Sequence, residues 1–85
     1  MPRVNGAQRA PTGRATCRAC REAIEKGAWR VALVFYEDGR YQPSGFVHAG
    51  CVSAYLETTR IVMPARHFSP ELGDEDMAEF EAALG

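Results

Sequence analysis

Thr16-Cys17-Arg18-Ala19-Cys20 (TCRAC, residues 16–20) is the stretch on which the fold turns. Two cysteines two residues apart can be a redox pair, a disulfide or half of a metal site. The chain holds three cysteines in all, and the third, Cys51, stands three residues after His48. The spacing is Cys17-x2-Cys20-x27-His48-x2-Cys51. Four soft or borderline donors in two close pairs match a tetrahedral structural zinc. A disulfide framework would leave one cysteine over, and a redox pair would use neither His48 nor Cys51. A tight knuckle can aim the sulfurs of Cys17 and Cys20 at one point. His48 and Cys51, three apart at the start of a helix, share a face. The sequence therefore predicts a small α+β zinc-binding domain with a treble-clef-like order: knuckle, short antiparallel β-sheet, helix, and a further C-terminal helix. One Zn2+ is the expected cofactor, and in modules of this size its binding supplies roughly 10–16 kcal/mol.

Size supports that dependence. The chain has 85 residues, enough for one domain with a thin core, and chains this short often need a metal, disulfides or a partner. Hydrophobic content is 46%, ordinary for a folded domain. No apolar run reaches membrane-spanning length, and the N-terminus lacks the apolar stretch of a secretory signal. A reducing compartment is expected: cytoplasm or nucleoid for a bacterial protein, which the Arg/Ala/Gly bias suits, or nucleus for a eukaryotic one. The start at Met1 suggests a complete small protein.

The net charge of −1 conceals a split. Residues 1–66 carry all ten Lys and Arg against five acids, a net +5. Residues 67–85 carry six acids and neither Lys nor Arg, a net −6. A basic body suits a polyanion, and an acidic tail suits its control.

Residues 1–13, rich in Gly, Pro and polar side chains, read as a mobile arm. WRVALVFY (29–36) is β-branched and aromatic and reads as a strand with Val31, Leu33 and Phe35 on the core face. EDG (37–39) reads as a turn, RYQ as a returning strand, PSG (43–45) as a break, and FVH as a short third strand. AGCVSAYLET then places Val52, Tyr55 and Leu56 at helical spacing, which predicts a helix over 49–58. RIVMPARHF reads as irregular with Pro64 as breaker. His67 is left on the surface. The last segment predicts a helix capped by Asp74, with Glu75 and Asp76 in its first turn and Met77, Phe80 and Leu84 as its apolar stripe.

An enzyme is not expected. Four protein ligands close the zinc shell, whereas catalytic zinc keeps an open position. Zinc deaminases place H-x-E before P-C-x-x-C. Here the order is reversed, and Gly50 stands where the acid would be.

TGRATCRAC (12–20), IEKGAWRVAL (24–33) and HAGC (48–51) together resemble the PARP-type zinc finger. That family is the DNA-break-sensing module of poly(ADP-ribose) polymerases and of a nick-sealing DNA ligase. The resemblance covers roughly residues 12–58, and the expected segments are a flexible arm over 1–11, a PARP-type Cys3His finger over 12–66 and an acidic C-terminal helix over 67–85. It also implies binding to nicks, gaps or ends through the DNA backbone and by stacking on exposed bases, without reading sequence. Arg14 and Arg30 match family phosphate contacts, and Arg18 lies inside the knuckle beside them. Tyr41, Pro43 and Phe46 are the candidates for base stacking. The expected partners are DNA with strand breaks and a repair enzyme supplied in trans. The competing reading is a zinc-stabilised protein-interaction module, and in a combined reading the acidic tail folds over the basic face and tunes DNA access.

Overall fold

In the computed structural model, which describes residues 2–85, the WRVALVFY segment is the middle strand of a three-stranded antiparallel sheet. The strands are β1 (Arg3–Arg9), β2 (Trp29–Glu37) and β3 (Arg40–His48), in spatial order β1-β2-β3. Three helices follow: α1 (Ala49–Leu56), α2 (Val62–Phe68) and α3 (Asp74–Ala83). The predicted α+β class, with a Cys/His cluster at the knuckle, is what the chain adopts.

The β2–β3 hairpin closes as its sequence directs. Asp38 and Gly39 both take left-handed φ, 51° and 76°, and Glu37 pairs with Arg40 across them. Two positive φ values in a two-residue loop match the twist of the flanking strands. The break expected at PSG does not occur. Ala32 to Val34 is two steps along β2, while their partners Phe46 and Pro43 are three apart. β3 therefore carries one extra residue, a bulge, and Gly45 absorbs it at φ +90°. An edge strand beside a bulge is where a sheet tolerates a proline, so Pro43 continues the strand.

The mobile arm is corrected most. Met1 lies outside the described residues, but Arg3–Arg9 form β1, paired along β2. Val4, Ala7 and Ala10 are buried. A second bulge, between Val4 and Ala7, breaks the alternation that would have marked a strand, and Gly6 sits in it at φ +133°. Ser69 closes the outer edge there. Its hydroxyl accepts from the Ala7 N–H at 2.8 Å and donates to the Ala7 carbonyl at 3.2 Å.

Val31 and Leu33 face the core as expected, but Phe35 is 38% exposed. Residues 35–43 are all exposed, because this end of the hairpin runs past the helices that cover the rest of the sheet. α1 buries Ala49, Val52 and Leu56 and stops at Glu57, which turns left-handed. The irregular stretch expected around Pro64 is helix α2. Pro64 is its third residue, and the first-turn N–H groups of a helix have no intrahelical partner, so proline costs no bond there.

α3 forms as predicted, with one change at its start: Gly73 is the cap and Asp74 the first helical residue. Three acids in the first turn complement the helix dipole. Met77 and Phe80 join Val31, Val52 and Ile61 in one core cluster. The Trp29 ring meets Phe80 at 5.7 Å, and the Arg9 guanidinium lies over Trp29 at 4.7 Å while pairing with Glu79.

Candidate metal centre

The connection from β1 to β2 is a loop held by its own backbone. Gly27 N–H donates to the Ala10 carbonyl and Ala10 N–H to Ala28, which ties the loop at its base. Ile24 N–H donates to Ala15, and Thr16 bridges to Ala23. Ile24 is fully buried under this loop. Within it, Cys17 N–H donates to Glu22 and Arg21 N–H donates to Cys17, so residues 17–22 make a tight knuckle, with Arg21 left-handed at φ 68°. Arg18 N–H then donates to the Phe46 carbonyl at 2.9 Å, which fixes the knuckle against β3 two residues before His48.

That docking brings the two ligand pairs together. One donor atom from each of Cys17, Cys20, His48 and Cys51 lies within 4.8 Å of the others. Cys20 Sγ is 3.4 Å from His48 Nδ1, and Cys51 Sγ is 3.9 Å from the same nitrogen. Zinc bound tetrahedrally to sulfur and nitrogen separates such donors by about 3.6–3.8 Å. The four residues thus fit one metal ion and are compatible with one zinc, with Nδ1 as the histidine donor. The three cysteines are free thiols, and no other such cluster occurs among the described residues.

The surroundings favour thiolate at one sulfur and oppose it at another. Burial alone raises the Cys17 thiol, but the backbone at Cys20, His48 and Ala19 and the Cys20 side chain outweigh it and lower it to about 6. The Ala19 and His48 N–H groups both donate to Cys17 Sγ at 3.4 Å. Burial pushes the Cys51 thiol up to about 11, and the neighbouring Cys17 and Cys20 sulfurs add to that. Three cysteine sulfurs and an imidazole nitrogen converge on one point, and a dication that draws the sulfurs into the thiolate form is the natural partner for them.

The residues expected to meet DNA divide. Arg14 and Arg18 are exposed beside the centre. The Arg18 stem lies across Gly45, where a Cβ would come within 3.1 Å of it. Arg30, expected as a phosphate contact, is only 6% exposed. Its Nε donates to Gln8 Oε1 at 3.0 Å, its Nη2 donates to the same oxygen, and its guanidinium lies 3.6 Å from the Phe46 ring centroid. Phe46 is accordingly partly buried, with Arg30 over its ring. Tyr41 and Pro43 are exposed at the other end of β3. Tyr41 packs edge-on against Tyr36 at 5.1 Å. His67 is exposed, as expected. Gln8 is the functional neighbour that sequence reasoning missed, because β1 read as an arm.

No helix among the described residues is long and apolar enough to cross a membrane. Neither a scan against protein-family models nor a search of curated proteins finds a match to this chain.

Proposed function

We propose that this chain is a zinc-stabilised PARP-type module that binds DNA at nicks, gaps or ends through the phosphate backbone. The observation that carries the reading is the pair Arg14 and Arg18. Both are exposed on the loop that supplies Cys17 and Cys20, and neither is paired with a carboxylate among the described residues. A guanidinium grips phosphate by two parallel hydrogen bonds, which asks for a rigid mount. The metal-held knuckle provides one. Arg21 lies beside them and adds charge. The ion acts structurally, since four protein donors complete a tetrahedron, and any chemistry on the break belongs to a repair enzyme in trans. Arg30 supports the site from within the sheet.

A titration with gapped, nicked and closed circular duplex, with and without chelator, tests this. Expected are tighter binding to broken DNA, a steep loss of affinity with salt, and loss of binding on chelation. Arg14→Ala and Arg18→Ala weaken binding while zinc content stays at one per chain. Equal, salt-insensitive binding to broken and closed DNA would overturn the reading, as would full affinity in both variants.

A further inference from the structure

A groove of about 820 Å³ opens at the hairpin end of the sheet. Its walls are mainly apolar and include Val4, Val34, Tyr41, Pro43, Leu56 and Phe68. Tyr41 is 63% exposed and Phe68 50%, so these walls stand open to solvent. Arg3 and Arg60 also line the groove, against the single acid Glu57. Neither arginine is paired among the described residues, whose ion pairs are Arg9–Glu79 and Arg66–Asp74. The groove shares no residue with the metal centre, which lies at the opposite end of β3.

The backbone at the groove offers a sheet edge, with α2 packed beside it. β1 is an outer strand. Ser69 satisfies its free edge at Ala7, but among the described residues no strand lies outside Arg3–Asn5, which line the groove. An unpaired edge next to an apolar trough is how folded domains receive an extended peptide: the main chain adds to the edge and side chains fill the trough.

We propose that this groove docks an extended segment of a protein partner, rich in apolar and acidic residues. Its apolar side chains enter the trough between Leu56, Phe68 and Tyr41, and its carboxylates meet Arg3 and Arg60. Charge complementarity selects that sign, since the two arginines outnumber Glu57. The apolar lining selects peptide over nucleic acid. A strand of nucleic acid this long would bring several phosphates to two arginines and an acid. The metal end and the groove end then serve different partners from opposite ends of one sheet.

Selection from a random short-peptide display library on the zinc-loaded protein tests the proposal. Enriched peptides are expected to combine apolar residues with Asp or Glu, and to bind roughly tenfold more weakly to Arg60→Glu and to Phe68→Ser. Zinc content and unfolding midpoint are measured for each variant; should Phe68→Ser not fold, Tyr41→Ser takes its place. Arg14→Ala leaves peptide binding unchanged, which separates this result from the DNA reading. Three outcomes each overturn the proposal: no enriched peptide, peptides whose binding survives both groove substitutions, or displacement of the peptide by an oligo-dT strand.

Discussion

The Arg30 guanidinium stacks on the Phe46 ring at 3.6 Å, with Gln8 Oε1 holding its edge from the next strand. Three strands meet at this one side chain: Gln8 from β1, Arg30 from β2, Phe46 from β3. Residue 30 pairs with Gln8 on one side and with His48 on the other. A buried cation without a carboxylate is costly, and burial lowers the Arg30 pKa, but the group stays charged in any accessible range. The ring face and the amide oxygen supply what the missing anion would. Because the stack sits two residues before His48 and below the point where the knuckle docks, it couples the sheet to the metal centre.

Arg30→Ala is therefore expected to act on stability. Losing the cation–π contact, two hydrogen bonds and the buried stem should cost about 1–3 kcal/mol. Arg30→Lys should not recover it, since an ammonium has neither the planar stacking face nor the fork. Urea unfolding of the zinc-loaded variants measures this. An unchanged midpoint for Arg30→Ala would show that the stack is not structural.

Metal loading should release protons. Around neutral pH the apo centre holds Cys17 largely ionised at about 6 and Cys51 protonated at about 11. Ligation requires Cys51 as thiolate, so its proton must leave. The sign follows: binding that expels a proton strengthens as pH rises and weakens as pH falls. Titrating zinc into the apo protein with a pH indicator at pH 7 should report at least one proton per ion. No proton release would mean that Cys51 does not enter the metal's shell. Chelation of the loaded protein should in turn abolish a cooperative unfolding transition, since the core left behind is thin.

Much of this architecture is legible in the chain, and the illegible parts share a cause. Val31 and Leu33 announce the central strand by alternation, Asp38-Gly39 announces the hairpin, and the repeated two-residue gaps announce the ligand set. These are local signals with local physics. β1 was hidden because its bulge at Gly6 puts Val4 and Ala7 three apart, a spacing no strand pattern contains. β3 was hidden by a proline that only an edge position excuses. α2 was hidden because Pro64 breaks a helix anywhere but its first turn. The burial of Arg30 was hidden for a different reason: its partners Gln8 and Phe46 come from neighbouring strands and are known only once the sheet is assembled.

The Gly6 bulge makes a sharp prediction. A Cβ at Gly6 would lie 2.7 Å from Ser69 Oγ and 3.3 Å from the Phe68 carbonyl oxygen, at a φ of +133°. Gly6→Ala must strain the backbone and dislodge Ser69, whose hydroxyl holds both Ala7 groups. A loss of about 2–4 kcal/mol is expected from strain and orphaned polar groups together. Gly13→Ala is the control: its φ is unexceptional and its nearest neighbour is 3.8 Å away, so it should be close to neutral. Equal thermal midpoints for the two variants would sink the account of how β1 joins the sheet.

In the combined reading the acidic C-terminal segment folds over the basic face and tunes DNA access, and its packing also makes it part of the core. Phe80 is fully buried and Met77 nearly so, both inside the main core. Arg9 pairs with Glu79 across Trp29, and Arg66 Nη1 lies 3.8 Å from Asp74 Oδ1. Removing residues 70–85 takes two core side chains with it and should unfold the protein, by analogy with large-to-small core changes that cost about 3–5 kcal/mol each. The electrostatic role of the segment is separable from its packing. Glu75→Gln and Glu81→Gln leave every apolar contact in place, and both side chains are exposed. Exposed charges act through the screened field, so this double variant should keep its unfolding midpoint within about 0.5 kcal/mol. If the DNA reading holds, it should also bind gapped duplex more tightly at low salt and equally at high salt. A truncated protein that folds normally would refute the core role of α3. A charge variant with unaltered low-salt affinity would show that the acids do not oppose DNA.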